Sequence, residues 1–175
     1  MPAWIALLLL AFLSGPAQAG EADKLDDILN YYQITDQVGT AGQPKADQFA
    51  EIARANYAAV INLAMPDSSN AVAEEGDIVR SLGMTYIHIP VPWDAPTLDH
   101  LKQFFAVMDG LGDQRVLVHC AANYRASAFV HQYLVLRKGV SSELATSPIL
   151  RKWRPEMDEN WKPILASTAK DLGID

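Results

Sequence analysis

Two kinds of apolar segment alternate along the chain, in the manner of an α/β protein. Short runs of branched and aromatic apolar residues predict buried strands at 31–40, 58–63, 84–89 and 115–119. Longer segments with an apolar residue every three or four positions predict helices at 45–56, 71–82, 98–111, 125–138, 141–151 and 160–172. The alternation predicts a single domain with a central, mostly parallel sheet of about four to five strands, flanked by helices.

The first 19 residues have the composition of a secretory leader. Residues 5–13 form an unbroken apolar run, and Ala17-Gln18-Ala19 has the small-x-small form of a signal-peptidase site. The run is too short to span a membrane. We therefore expect cleavage after Ala19, export to the periplasm or the medium, an α/β domain of residues 20–175 and no stable membrane span. A retained N-terminal anchor is the alternative, because no Lys or Arg precedes the apolar run.

Charge and cysteine usage narrow the function classes. The net charge of −7 argues against nucleic acid as a partner, since binding would require cations to neutralise phosphates. The chain has one cysteine, Cys120, which therefore cannot form an intramolecular disulfide. It is either an inert core thiol or a functional one.

The surroundings of Cys120 favour the functional reading. A predicted buried strand ends at His119-Cys120, and a short loop then leads to Arg125, which opens an apolar helix. Such a strand–loop–helix element points backbone N–H groups and the positive end of a helix dipole into one concavity, where a Cys120 thiolate would be stabilised. A cation in the first turn of a helix is disfavoured unless an anion lies beside it. We expect Arg125 to face a bound anion.

These residues resemble the active loop of the cysteine-dependent tyrosine and dual-specificity phosphatases, whose signature is His-Cys, five residues, Arg, then Ser or Thr. The loop here is contracted. Only four residues separate Cys120 from Arg125, Ala126 stands where the family keeps its Arg, and Ser127 lies two positions after the Arg.

Two further motifs extend the resemblance to small bacterial phosphatase-like proteins with shortened loops. They are Gly42-Gln43-Pro44 and Val60-Ile61-Asn62-Leu63. The resemblance covers roughly residues 33–165 and implies a cysteine-phosphatase-like fold.

The resemblance also implies a mechanism. The Cys120 thiolate would attack phosphorus to form a phosphocysteine, which water then hydrolyses. Arg125 would bind two phosphate oxygens through its planar fork. Neither a metal nor a cofactor is required. The phosphate would be held by the loop residues Ala121, Ala122, Asn123, Tyr124 and Arg125.

The family takes its general acid from an aspartate on a loop before the cysteine. Asp94, in the proline-bounded loop 90–97, lies 26 residues ahead of Cys120 and is the first candidate. Asp99 and Asp67 are the second and third. An ordinary turn aspartate is the alternative reading of Asp94.

Four residues of the loop and its flanks have expected supporting roles. His119 would orient the loop and stabilise the thiolate, or would be a buried histidine satisfied by backbone. Ser127 would hydrogen-bond the Cys120 sulfur or only cap the helix. Asn123 would adopt a left-handed backbone and offer its amide to phosphate. Tyr124 would line the pocket mouth.

The remaining histidines and tryptophans are expected to be structural. His88, His100 and His131 lack the spacing and the neighbours of a metal site. Trp93, Trp153 and Trp161 are expected to pack, with Trp93 the best exception because of its loop.

Three functions stay open. The first is a phosphatase acting on a phosphorylated small molecule or a phosphoprotein, with phosphotyrosine protein one candidate. The second is sulfur transfer, since many rhodanese-like enzymes also have a six-residue loop such as Cys120 to Arg125. The third is a non-catalytic module that binds a phosphoanion, if the contracted loop misaligns the thiolate and the Arg.

Overall fold

Five short strands form one sheet, in the spatial order β1-β2-β5-β3-β4. The structure is a computed structural model, which describes residues 24–174. β1 is antiparallel to β2, and the other neighbouring strands are parallel. The predicted α/β class and mostly parallel sheet are therefore confirmed. The strands are β1 (Tyr32–Gln33), β2 (Val38–Ala41), β3 (Ala59–Asn62), β4 (Thr85–His88) and β5 (Val116–His119).

The helices cover both faces of this sheet. The longest of them, which precedes β5, follows a capping signal and an apolar periodicity that the sequence already displays: Thr97 at its start accepts a hydrogen bond from the His100 N–H. The helices are α1 (Gln48–Arg54), α2 (Glu75–Ser81), α3 (Leu98–Leu111), α4 (Tyr124–Leu136), α5 (Pro148–Trp153), α6 (Lys162–Ala166) and α7 (Ala169–Leu172), with a 3-10 turn at Arg154–Glu156.

Alternate residues of β5 enter two different cores. Val116 and Val118 pack with the side chains of α3 and α4, and Cys120 belongs to the same cluster. Leu117 packs on the opposite face with α1 and α2, and the His119 ring lies 6.3 Å from the Phe49 ring of α1. His119, the last residue of β5, and Cys120, the residue after it, therefore direct their side chains to opposite faces of the sheet, because successive side chains of a strand alternate.

The predicted strand 31–40 is wrong as a single element. It is a hairpin of β1 and β2, closed by a 2.9 Å hydrogen bond from Ile34 N to Val38 O. The turn is set by Thr35, whose hydroxyl accepts hydrogen bonds from the N–H groups of Gln37 and Val38. A threonine side chain that bonds to nearby backbone competes with strand pairing, and here it reverses the chain.

The C-terminal helices are shorter than predicted. The segment 141–147 forms turns, and α5 begins only at Pro148, with Ser147 accepting a hydrogen bond from Leu150 N at 3.2 Å. Proline favours the first helical position because its missing N–H has no partner there in any case. The predicted helix 160–172 is interrupted, since Thr168 forms a capping box with Asp171 and starts α7.

The strand registers place the candidate site at one edge of the sheet. His119 of β5 is paired with Ala41 of β2 and with Asn62 of β3, so all three strands end at the same level. The segments that follow them meet at the carboxyl edge, where open parallel sheets bind their ligands.

The predicted leader, residues 1–19, lies outside the described residues, as does the expected cleavage after Ala19. Between residues 24 and 174, no helix has the length and apolar character needed to cross a membrane.

Candidate active site

Cys120 leaves the sheet between two neighbouring strands that hold its backbone. Its N–H donates to Ala41 O at 3.2 Å, and the preceding carbonyl, of His119, accepts a 2.8 Å hydrogen bond from Leu63 N. Cys120 is 1% exposed. The thiol therefore occupies a defined, dry position at the end of β5.

Two carbonyl groups of the loop after Cys120 accept hydrogen bonds from other segments of the chain. Ala121 O accepts hydrogen bonds from Gln43 N at 3.2 Å and from Asn70 Nδ2 at 2.9 Å. Ala122 O accepts one from Asn30 Nδ2 at 3.1 Å. Because N–H and C=O of a trans peptide point in opposite directions, the Ala122 N–H turns away from Gln43 and Asn70, towards the interior of the loop.

The Gly42-Gln43-Pro44 motif supports this loop. Gly42 forms a bridge with Ala122 and donates a 2.7 Å hydrogen bond to Leu29 O. A Cβ atom at position 42 would lie 2.9 Å from the Leu29 side chain and 3.0 Å from its carbonyl oxygen. Glycine is therefore required here by close backbone approach.

Asn123 ends the loop in the left-handed conformation, with φ of 73°, and its side chain does not cap α4. Its amide nitrogen donates to Asn30 O at 2.6 Å and to Thr40 Oγ1 at 3.1 Å. These bonds use both protons of the side-chain amide, so in this structure the amide ties the loop to the segment at Asn30 and to β2. The expected contact with phosphate stays a prediction. The first N–H groups of α4 are left without a side-chain cap, and they are available to an anion.

Ser127 is tied to this scaffold as well. Its hydroxyl donates to Asn123 Oδ1 at 2.9 Å and accepts from Ser147 Oγ at 2.7 Å. A hydroxyl has one proton to give, and in Ser127 it goes to Asn123. Neither expected role of Ser127, a bond to the Cys120 sulfur or a helix cap, matches this arrangement.

Arg125 lies across the carboxyl ends of β3 and β4 and is 7% exposed. Its Nη1 donates to Val91 O at 2.8 Å, with a longer contact of 3.4 Å to Leu63 O. Its Nε is buried and has no hydrogen-bond partner among residues 24–174. Two main-chain carbonyls thus orient the guanidinium, and the Nε edge keeps a donor for an anion.

Trp93 fixes the loop that carries Asp94. Its main-chain oxygen accepts hydrogen bonds from Asn160 Nδ2 at 2.7 Å and from Trp161 Nε1 at 2.9 Å. The Arg125 guanidinium carbon lies 5.9 Å from the centre of the Trp93 ring. Asp94 is therefore held at the edge of the site, where its side chain is exposed.

The other two acid candidates are less constrained. Asp99 lies in the first turn of α3, with its side chain 92% exposed and 3.9 Å from Lys102 Nζ. Asp67 is exposed on the loop after β3. Asp94 directly follows Trp93, whose ring lies beside the Arg125 guanidinium. Among the described residues, neither Asp99 nor Asp67 has a neighbour with such a contact to Arg125.

Aromatic rings surround the first turn of α4. The Tyr124 ring lies 6.1 Å from Trp93 and 5.3 Å from Trp153, and the Trp93 and Trp161 rings are 5.3 Å apart. Trp161 and Trp153 are buried, as expected of packing residues, whereas Trp93 is 37% exposed. Trp93 and Tyr124 thus present aromatic surface beside Arg125.

Sequence reasoning missed Glu75. This buried residue begins α2, and its Oε1 lies 2.9 Å from His119 Nε2 and 3.1 Å from Asn62 Nδ2, while Gln43 Nε2 donates to Oε2. Burial by itself raises the pKa of the Glu75 carboxyl, but the hydrogen bonds to it and the charge of His119 hold that pKa below its usual value. The available signal was indirect, since Gln43 and Asn62 both belong to motifs noted in the sequence.

His119 is therefore satisfied by a side chain and not by backbone. Its Nε2 faces Glu75, and its Nδ1 is buried without a partner in the described part of the chain.

The other histidines have structural contacts. His88 Nε2 is 2.8 Å from Ala64 O, His100 completes the cap of α3, and His131 Nε2 is 2.8 Å from Arg154 Nη2. Within residues 24–174, no group of His, Cys, Asp and Glu side chains could hold a metal ion.

Comparison with known proteins gives the family. Residues 26–161 match the family model described as a DSP-PTPase phosphatase fused to NAD+ kinase. The chain belongs to the cysteine-dependent tyrosine and dual-specificity phosphatase superfamily. A search of curated proteins found no match.

Solved structures of the phosphatase superfamily share the fold. A DUF442 protein of Shewanella putrefaciens CN-32 is 33% identical, with a TM-score of 0.77, over 86% of this chain and 97% of its own. Tk-PTP in its active form is 21% identical, with a TM-score of 0.64, over 82% of this chain and 95% of its own. TpbA of P. aeruginosa in complex with pTyr is 13% identical, with a TM-score of 0.62, over 82% of this chain and 86% of its own.

Proposed function

We propose that the protein hydrolyses a phosphate monoester through a phosphocysteine intermediate formed on Cys120. One observation carries the proposal. The buried thiol of Cys120 is followed within five residues by an uncapped helix N-terminus and by Arg125, whose buried Nε has no hydrogen-bond partner among residues 24–174. Both features present donors to an oxyanion in a dry site, where preorganised donors act most strongly.

The proposed reaction has two steps. In the first, the Cys120 sulfur forms a bond to phosphorus as the bond to the leaving oxygen breaks, and Asp94 gives that oxygen its proton. In the second, the Asp94 carboxylate takes a proton from water as the water oxygen attacks phosphorus. The P–S bond then breaks, and its electron pair returns to sulfur. Arg125 and the loop N–H groups hold the equatorial oxygens throughout.

An aromatic phosphate is the preferred substrate class in this proposal. The exposed ring of Trp93 and the half-buried ring of Tyr124 lie next to Arg125, and aromatic pairs gain energy beyond simple area burial. TpbA, whose structure has been determined with pTyr, provides a precedent on a shared fold. Phosphotyrosine, on a protein or a small molecule, is the substrate to test first. Export by the predicted leader would place the reaction in the periplasm or outside the cell.

The experiment measures release of phosphate from an aryl phosphate by reduced protein without added metal. Wild type is expected to turn over and Cys120→Ser to lose the activity while keeping its circular dichroism and melting temperature. Full activity in Cys120→Ser would overturn the mechanism. Ser69→Ala, on an exposed loop, is the control for an unrelated hydroxyl.

A parallel assay separates the other two functions. The six-residue loop from Cys120 to Arg125 is short enough to suit a persulfide, so sulfur transfer from thiosulfate to cyanide is measured on the same samples. A rate above that of phosphate release would favour a sulfurtransferase. Phosphate binding with neither activity would identify a binding module.

A further inference from the structure

The outward side of α5 and the residue after it carry a concentration of positive charge. Residues 144–155 contain Arg151, Lys152 and Arg154 and no acid, in a chain whose net charge is −7. All three cations are exposed, whereas Trp153 between them is buried. The helix therefore packs its apolar residues into the core and presents a positive surface on its other side.

These cations have no acidic partners in the described part of the chain. Among residues 24–174, none of the three is paired with a carboxylate, whereas exposed cations on other helices are, as Arg80 is with Asp77. The Nη2 atom of Arg154 lies 2.8 Å from the ring of a histidine, His131. A group of like charges without counter-charges attracts an anionic partner.

An open cavity of about 340 Å³ lies between α5 and β1. It is lined by Tyr32, Thr146, Pro148, Arg151 and Lys152. Two cations and an exposed aromatic ring thus border one space, and no acid of the described segment is among the residues that line it. Glu143 lines a neighbouring cavity, together with Arg151 and Arg154. The cavity beside Tyr32 therefore suits a carboxylate side chain, which Arg151 or Lys152 can pair.

The same helix packs against the candidate active site. The Trp153 ring lies 5.3 Å from the Tyr124 ring and 5.4 Å from the Trp93 ring. Ser147, which caps α5, donates a 2.7 Å hydrogen bond to the Ser127 hydroxyl of α4. A helix of six residues is only about 9 Å long, so its cations lie on the order of 10 Å from these aromatic rings. The positive surface is thus within reach of a substrate bound at the site.

We propose that Arg151, Lys152 and the cavity beside Tyr32 form a docking surface for an acidic segment of a phosphoprotein substrate. This inference rests on the proposed function, because the phosphorylated residue is taken to bind at Cys120. An extended chain spans about 3.3 Å per residue, so a carboxylate about three to five positions from that residue reaches the cations. A short acidic segment meets these cations alone, whereas a nucleic acid or an anionic membrane also meets the negative charge of the rest of the molecule.

Two peptides that each contain one phosphotyrosine test the docking surface. The acidic peptide has glutamates about three to five positions from the phosphotyrosine on both sides, and the neutral peptide has glutamines there. The readout is the ratio of their kcat/KM values, in which a general change of activity cancels. We expect wild type to favour the acidic peptide by about three- to tenfold, mainly through a lower KM. The preference should shrink at about 0.5 M salt, because exposed charges are screened.

The double variant Arg151→Gln, Lys152→Gln should lose this preference. Both residues are exposed, so the variant is expected to keep its fold. The double variant Arg80→Gln, Lys170→Gln is the matched control, because it removes one arginine and one lysine charge from exposed positions of α2 and α7. It should keep the wild-type ratio. Equal values for the two peptides in wild type, or an unchanged preference in the α5 variant, would overturn the proposal.

Binding without turnover separates this proposal from the proposed function. The backbone amide NMR signals of wild type are followed while the unphosphorylated acidic peptide is added. We expect shifts at Thr146, Arg151 and Lys152 that the neutral peptide does not cause. A protein that shows them but releases no phosphate from any substrate would overturn the proposed function alone.

The same spectra identify other occupants of the docking surface. Phosphatidylglycerol vesicles and a single-stranded oligonucleotide are added in place of the peptide. If either of them shifts these three signals and the acidic peptide does not, the surface binds a different anion and the proposal is wrong. Signals that respond equally to the acidic and the neutral peptide would overturn it as well.

Discussion

Arg125 Nη1 donates a 2.8 Å hydrogen bond to the main-chain oxygen of Val91. Val91 follows β4, whereas Arg125 lies in the first turn of α4, so the bond joins the loop that carries Trp93 and Asp94 to the helix behind the nucleophile. The carbonyl holds one end of the guanidinium, and the Nε edge is left for a ligand. A bound oxyanion would therefore meet an oriented planar fork.

Arg125→Lys should weaken both phosphate binding and turnover. Lysine keeps the charge but lacks the planar fork, so it cannot bond Val91 O and the anion with the same geometry. We expect a loss of about 2 to 4 kcal/mol of transition-state stabilisation, measured as kcat/KM with an aryl phosphate. Arg137→Lys, at a surface pair with Asp109, is the matched control. Wild-type kinetics in Arg125→Lys would show that the guanidinium does not contact the anion.

Asp94→Asn should slow poor leaving groups more than good ones. An asparagine cannot protonate the departing oxygen, and phenyl phosphate needs that proton whereas an activated nitrophenyl ester does not. The alkaline limb of the kcat profile should also disappear where chemistry is rate-limiting. Asp99→Asn and Asp67→Asn are tested beside it. A small, equal loss for both substrates in Asp94→Asn would mean that Asp94 only shapes its loop.

Asn123 should contribute to stability through both its backbone and its side chain. Asn123→Gly keeps the left-handed backbone but removes the bonds to Asn30, Thr40 and Ser127, and we expect it to lower the free energy of unfolding by about 1 to 3 kcal/mol. Asn123→Ala should lose about 1 kcal/mol more, because alanine is strained at φ of 73°. Urea unfolding measures both, and equal stabilities of the two variants would contradict the backbone argument.

His131 should make the fold less stable in mild acid. Burial lowers the pKa of His131 below its usual value near 6.5, and the charge of Arg154 lowers it further. Below pH 6.5 the His131 side chain therefore binds a proton in the unfolded chain but not in the native protein. The free energy of unfolding consequently decreases as the pH falls below this value, by at most about 1.4 kcal/mol per pH unit.

His131→Gln is the variant that tests this. Glutamine can hydrogen-bond to Arg154 without titrating, so the difference between wild type and variant should change between pH 7 and 5. His100→Gln is the control, because glutamine also suits its position in the α3 capping box. If the free energies of unfolding of wild type and His131→Gln change with pH in parallel, His131 does not cause the loss of stability in mild acid.

Local sequence was sufficient to predict the α/β class, the buried central strand and the loop of the candidate site. The run from Val116 to His119 is apolar and branched, and the Cys120-to-Arg125 spacing lies within one loop, so both patterns are short in sequence. Chain reversals set by single side chains were harder. The Thr35 turn and the Ser147 cap depend on one hydroxyl each, and the pattern of apolar residues does not reveal them.

Only the tertiary structure decided how the site is held together. Glu75 is 44 residues from His119, and Arg125 is 34 residues from the carbonyl of Val91. Sheet order brings these groups to one edge, because parallel strands that are distant in sequence end side by side. Sequence alone therefore determined the nucleophile loop as a candidate, whereas the acid behind His119 and the anchor of Arg125 exist only once β3, β4 and β5 have paired.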